Sequence, residues 1–336
     1  MAVGFRSFLR LAPGQDLLGT VVEHLGRWLA TKEIHLDAGR PGNYLLDHDD
    51  LVTILRDSSG AGEFYQWRRQ HPDAQPRDVW RTTFTVLEHP TGPGWLWTEI
   101  ETRDDVTAIG EAPYNRCMSV PSVLRGLLGE LTATDGRTEM APGPQWVTTN
   151  HLPDLMDYLA DETRRGPVYM ISQGLRPQDE FDRWAREITW HLVGLGSAFL
   201  LDETVEAGFN EMVGRPHAVP PGTMRTYLPD VNLDSLEDPL RHKILGRSRI
   251  LATDTRRLAR MLGRAERDRA ARVAIPVEAR ELVRAYEPTP MPAVPGREQH
   301  RLLLELQAEN DRLREALRTR PRLHVAGRQE EQLNAS

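Results

Sequence analysis

Apolar residues recur every three or four positions between residues 16 and 29, at Leu17, Leu18, Val21, Val22, Leu25, Trp28 and Leu29. That period predicts a helix with one buried face. A period of two takes over at 79–88 and 95–101, segments rich in Thr, Val, Trp and Phe around the turn-forming run His89-Pro90-Thr91-Gly92-Pro93-Gly94. They predict a β-hairpin. Trp80, Thr82, Phe84 and Val86 share one face of it, Leu96, Thr98 and Ile100 face the same way from the second strand, and Trp95 and Trp97 lie opposite. A short helix at 121–131 and a strand at 146–149 complete an expected α+β domain over 1–145.

The pattern then alternates. Strand 168–171, helix 178–192, strand 197–201, helix 204–213 and strand 223–228 make a β-α-β-α-β unit, expected as a parallel or mixed sheet with crossover helices in a small α/β domain over 146–250. A ligand of such a sheet would sit at the carboxyl ends of the strands, beside Ser172, Asp202 and Pro229. Beyond Pro229 the periodicity is helical at 235–245, 254–272 and 277–286, the last two forming a basic segment over 251–287. Pro288, Pro290, Pro292, Pro295 and Gly296 make 288–297 a stiff linker. A last helix follows at 298–318, and 320–336 carries no apolar period, the mark of a disordered tail.

The last helix carries the most specific pattern. With Leu303 at an a position, Leu306 falls at d, Asn310 at a, Leu313 at d and Leu317 at a, so 298–319 reads as a short coiled coil. An asparagine at one a position favours a parallel two-stranded register, because two such amides pair across the seam and a slipped copy buries one unpaired. Glu309 at g faces Arg314 at e of the partner helix. The alternative is an amphipathic helix docked on its own domain. The core resembles a transcription-factor leucine zipper, but proline-rich sequence replaces the basic helix that would bind DNA.

Charge divides the chain. Residues 1–240 hold 21 basic and 36 acidic groups, net −15, and 241–336 hold 21 and 13, net +8, which together give the formal −7 of the 336-residue chain. All but Lys32 and Lys243 of the 42 basic residues are arginine, the bias of a GC-rich coding genome. An acidic body leaves room for an anionic partner only toward the C-terminal third. There Arg256, Arg260, Arg264 and Arg267 form a helical stripe, read either as a solvated face or as a nucleic-acid contact. Against the latter, the helix brings no aromatic residue of its own, as all eight tryptophans precede residue 191.

No run approaches the roughly 18 apolar residues of a spanning helix, and the N-terminus lacks a secretory pattern, so the expected location is cytoplasmic, without a membrane partner. One cysteine, Cys117, excludes an internal disulfide and a Cys-rich zinc site. No phosphate-loop lysine, G-x-S-x-G or H-E-x-x-H occurs, and Gly194-Leu195-Gly196 follows a helix and precedes a strand, the reverse of a dinucleotide fingerprint, so it reads as a helix stop. Asp47-His48-Asp49-Asp50 reads as the cap of a helix starting near Leu51 rather than a metal site, and Asp104-Asp105 as a turn. No cofactor and no metal is expected.

Candidate chemistry gathers around the third strand of the unit. Arg225 sits in an otherwise apolar strand and needs a partner, since an unpaired buried charge is costly. Asp202 is the expected internal one. The functional alternative is an anion pocket of Ser172, Asp202, Arg225, Arg241 and His242, near His217, with arginine forks gripping phosphate oxygens. The segments Val168–Ser172 and 194–202, the run from His217 through Pro229, and Arg241-His242 resemble a group of actinobacterial proteins that join such an α/β segment to a coiled coil. The resemblance implies that architecture and a bacterial source, and no activity. The sequence therefore predicts a non-enzymatic scaffold or adaptor of a bacterial multiprotein system, dimerising through its last helix and binding a protein partner. The alternatives are a nucleic-acid or nucleotide-handling enzyme with the anion pocket, and a DNA-binding regulator using the arginine helix.

Overall fold

The hairpin expected at 79–101 lies within an antiparallel sheet of eight strands. The computed structural model describes residues 2–46, 50–58, 62–72, 78–89, 91–104, 121–275, 277, 280, 305–306 and 308–313. The strands are β1 (Ala2–Leu11), β2 (Gly42–Leu45), β3 (Leu51–Asp57), β4 (Glu63–Pro72), β5 (Asp78–Glu88), β6 (Gly94–Asp104), β7 (Ala133–Asp135) and β8 (Thr138–Met140), in the order β2-β3-β4-β5-β6-β1-β7-β8. Leu51 thus opens a strand, correcting the helix expected there: the β-branched Val52, Thr53 and Ile54 suit a pleated surface better than a helix. Asp50 caps nothing helical and pairs with Arg69 at 2.6 Å. Asp47, His48, Asp49, Asp105 and Cys117 lie outside the described residues.

Two helices cover one face of this sheet. Helices α1 (Leu17–Ala30) and α2 (Ser122–Glu130) pack Val21, Leu25, Leu124 and Leu127 against Phe5, Leu9, Phe84, Val86 and Leu96 on one face. Asp16 caps α1, its carboxylate accepting from the Gly19 N–H at 2.9 Å. The other face gathers Phe8, Phe64, Leu87, Trp95, Trp97 and Ile275.

The chain changes sheets between Met140 and Gln145. The second sheet holds β9 (Gln145–Trp146), β10 (Val168–Ser172), β11 (Ser197–Leu201), β12 (Met224–Tyr227) and β13 (Ile244–Leu245), ordered β13-β12-β10-β11-β9. Helices α3 (Leu152–Ala160) and α5 (Glu203–His217) cover one face over Val168, Met170 and Phe199. Helices α4 (Gln178–Thr189), α6 (Arg247–Ala252) and α7 (Thr255–Ala270) bring Phe181, Ile188, Ile250 and Leu258 to the other, over Tyr169, Ile171 and Leu200. Strands buried on both faces are nearly all apolar, which is why β10 and β11 stand out in the sequence.

Strands β9, β10 and β11 are parallel, but β12 runs antiparallel to β10, with Met170 opposite Arg225. The physical reason lies after α5. Its helical geometry breaks at Gly214, and residues 218–222 return along the helix, Asn210 and Val219 exchanging side-chain and backbone hydrogen bonds of 2.9 and 2.7 Å. This return brings Thr223 beside Ser172, so β12 can only run back toward the other edge. The helix expected at 235–245 is instead a turn, a 3-10 segment at Asp238–Arg241 and strand β13. Asn232, Pro239 and the hydrogen bonds from the Glu237 and Asp238 N–H groups to Ser235 Oγ hold the chain in turns.

Helix α7 links the sheets. Buried Glu266 accepts from Tyr169 Oη at 2.5 Å and from Arg269 Nε at 2.6 Å, while Arg6 of β1 donates to the Ala271 and Val273 carbonyls. Residues 1–289 form one compact unit and 290–336 a second. No helix among the described residues is long and apolar enough to cross a membrane.

Candidate functional sites

The five residues expected to share an anion pocket fall into two groups. At the carboxyl edge of β10 and β11, Ser172 Oγ donates to Glu206 in a very short hydrogen bond and accepts from the Gly222 N–H at 2.7 Å. Burial raises the Glu206 pKa, opposed by that serine hydrogen bond. Asp202 caps α5 by accepting from the Val205 N–H at 2.8 Å. Gly174 and Gly222, both with φ near +60 to +70°, meet here, and a Cβ on Gly174 would lie 2.8 Å from the Gly222 Cα. These groups fasten loops together.

Arg225, Arg241 and His242 lie with His217 and Asp238 around the far end of β12. The expected tie between Arg225 and Asp202 is not made. Arg225 is 2% exposed and donates to three carbonyls, of Pro216 at 2.9 Å, Ala218 at 2.8 Å and Pro239 at 3.2 Å. Because β12 is antiparallel, its arginine faces the C-terminal end of α5 rather than the helix start that Asp202 caps. Arg241 donates to Asp238 at 2.9 Å and to the Pro229 and Asp230 carbonyls.

His217, Asp238 and His242 are all buried, with potential ligand atoms within 4.8 Å of one another. His242 Nδ1 accepts from the Leu228 N–H at 3.2 Å, which leaves the proton on Nε2, 2.7 Å from Asp238 Oδ2. That distance is a hydrogen bond. Two ligands on one tetrahedral zinc would stand roughly 3.3 Å apart given metal–ligand bonds near 2.1 Å. Neither ring nitrogen of His217 makes a well-formed hydrogen bond, and Tyr227 Oη bonds its carbonyl. Burial lowers the pKa of both histidines, with the Arg225 charge adding to the effect at His217. Burial pushes Asp238 upward, but hydrogen bonds from the Asn232 N–H and His242 outweigh it and leave its pKa below the ordinary carboxylate value. Asp238 left no mark in the sequence beyond its i, i+4 spacing to His242.

The arginine helix has a surface the sequence did not suggest. Arg256, Arg260 and Arg264 of α7 are exposed as expected, but Arg267 is 5% exposed and turned inward, so the stripe ends one turn early. Opposite Arg256 and Arg260 stand Arg183, Arg186 and Trp190 from α4 and its C-terminal end, with His191 between. Together they line a groove of about 760 Å³. Trp190 is 53% exposed, and the Arg125 guanidinium lies 3.2 Å from its ring centroid. The tryptophan precedes residue 191 in sequence and still reaches α7 in space.

In the second unit, 305–306 and 308–313 are helical where described. Leu306 and Leu313 are 64% and 56% exposed. Glu309 pairs within its own helix with Arg312 at 3.6 Å. Leu303, Arg314 and Leu317 lie outside the described residues. No family model, curated protein or solved structure matches the chain.

Proposed function

We propose that this protein is a non-enzymatic scaffold or adaptor of a bacterial multiprotein system, which self-associates as a parallel dimer through Leu303, Leu306, Asn310, Leu313 and Leu317 and offers its mixed α and β body to a protein partner. The observation that carries this reading is the exposure of Leu306 and Leu313, two apolar side chains one heptad apart on helical backbone. Covering a leucine fully is worth about 1.5–3 kcal/mol, so a second copy of the same seam gives those residues the burial they lack. A second copy fits better than an unrelated helix because Asn310 at an a position is matched by its own counterpart. A seam of about two and a half heptads makes the dimer weak and dependent on concentration.

Molar mass in solution tests this reading. The full chain at increasing concentration is expected to pass from monomer to dimer, and a Leu306→Ser, Leu313→Ser double variant to stay monomeric with an unchanged melting temperature of the body. A full chain that stays monomeric throughout overturns the dimer.

A further inference from the structure

We propose that the groove between α4 and α7 binds single-stranded nucleic acid, with arginines of both helices on successive phosphates and a base stacked against Trp190. Residues three or four apart on a helix are surface neighbours. Arg183 and Arg186 on α4, and Arg256 and Arg260 on α7, are therefore two pairs of cations facing one channel. The one carboxylate among the lining residues, Glu187, makes only a long 3.7 Å contact with a strongly exposed Arg256. The groove thus carries concentrated positive charge on a chain whose formal net charge is −7. His191 reports the same field: burial lowers its pKa first, and then the charges of Arg267, Arg125 and Arg260 lower it further.

The chemistry of Trp190 selects among anions. Trp190 is a residue more than half exposed, and Arg125, in contact with its ring and bonded to its carbonyl at 2.7 Å, holds that ring as a stacking platform. Nucleobases stack on such a ring whatever their sequence, whereas an acidic peptide gains nothing comparable from it. A duplex keeps its bases stacked inside, so its phosphates alone would reach the arginines. An unpaired strand uses both kinds of group. At Gly263, α7 packs directly on His191 of the groove lining, where a Cβ would lie 2.3 Å from the His191 Cβ.

The test is fluorescence anisotropy of a labelled twelve-nucleotide oligothymidylate with the full chain, across a salt series. Saturable binding is expected, with a slope of log affinity on log salt near −3, from about −0.7 per phosphate for four contacts. Arg183→Gln with Arg256→Gln should halve that slope. Trp190→Ala should weaken binding about tenfold without changing the slope, and Trp190→Phe, which keeps a ring, should retain most of the affinity. Circular dichroism melts of the variants confirm that each remains folded. Absence of saturable binding at low salt overturns the proposal. So does equal binding by a labelled poly-glutamate peptide, tighter binding of a duplex of the same length, or indifference to Trp190→Ala in a folded protein.

Discussion

Gly263 and His191 bring α7 and the end of α4 into direct contact: a Cβ on Gly263 would lie 2.3 Å from the Cβ of His191. No pair of real side chains tolerates that separation, so the helix must shift if the glycine is replaced. In an exposed helix Gly→Ala would add about 1 kcal/mol of stability. Here the overlap wins, and Gly263→Ala is expected to destabilise the protein by about 1–3 kcal/mol, as overpacked cores do. A urea titration of the variant measures this, and a gain in stability would mean that the two helices are free to separate.

Arg225 is a structural cation. Its guanidinium bonds only to backbone carbonyls, those of Pro216, Ala218 and Pro239, and so ties the end of α5 and the 3-10 turn to β12. Arg225→Ala would leave the part-buried Pro216 and Ala218 carbonyls without a donor at about 1–3 kcal/mol for each unsatisfied group, partly relieved by entering water, while the Pro239 carbonyl still accepts from the His242 N–H at 3.2 Å. The expected loss is on the order of 3 kcal/mol. Arg225→Lys should recover little of it, because a compact ammonium cannot span the positions the planar fork reaches. Thermal unfolding of both variants decides the matter, and an unchanged melting temperature would return Arg225 to the list of ligand-binding groups.

These two cases mark what the sequence could show. Periodicity located α1, the hairpin of β5 and β6, and β10 through β12, because long regular faces are buried and written directly into residue spacing. It missed β2 and β3, and also β1 and β4, where Arg6 and Arg10, and Arg68 and Arg69, interrupt the apolar alternation. Two of these have charged partners that only the strand pairing brings near: Arg6 at Glu99 of β6, and Arg69 at Asp50, just before β3. The α4–α7 groove was equally invisible, since its two pairs of arginines are about seventy residues apart and the tryptophan belongs to the earlier helix. Asp202 and Arg225 are apart because β12 runs antiparallel to β10, an orientation that the expectation of a parallel or mixed sheet left open.

Stability should fall as the solution is acidified from neutrality. His217 and His242 have folded pKa values below the ordinary histidine value near 6.5, chiefly through burial, and Arg225 and Arg241 add repulsion at one ring each, opposed by Asp238. Below pH of about 6.5 the unfolded chain takes up protons that these folded rings refuse, so each ring removes up to about 1.4 kcal/mol of stability per pH unit until its own folded pKa is reached. Asp238 acts in the same direction at lower pH: its depressed folded pKa supplies stability above its unfolded value near 3.9, lost as pH falls through the folded one. The melting temperature is expected to drop between pH 7 and pH 5.5, with a shallower drop in His217→Phe. Identical slopes for the two proteins would show that His217 titrates normally in the fold.

Asn310 separates specificity from strength in the proposed dimer. At an a position a pair of asparagines costs stability relative to leucine, and its return is a single register and a two-stranded state. Replacing it by leucine would join Leu306 and Leu313 into an unbroken apolar seam. Asn310→Leu is therefore expected to associate more tightly than the parent chain and to lose discrimination, populating trimers or higher states at the same concentration. Sedimentation velocity resolves these species directly. If 298–319 instead docks on the protein's own body, the substitution leaves a monomer at every concentration, because no second chain ever meets the seam.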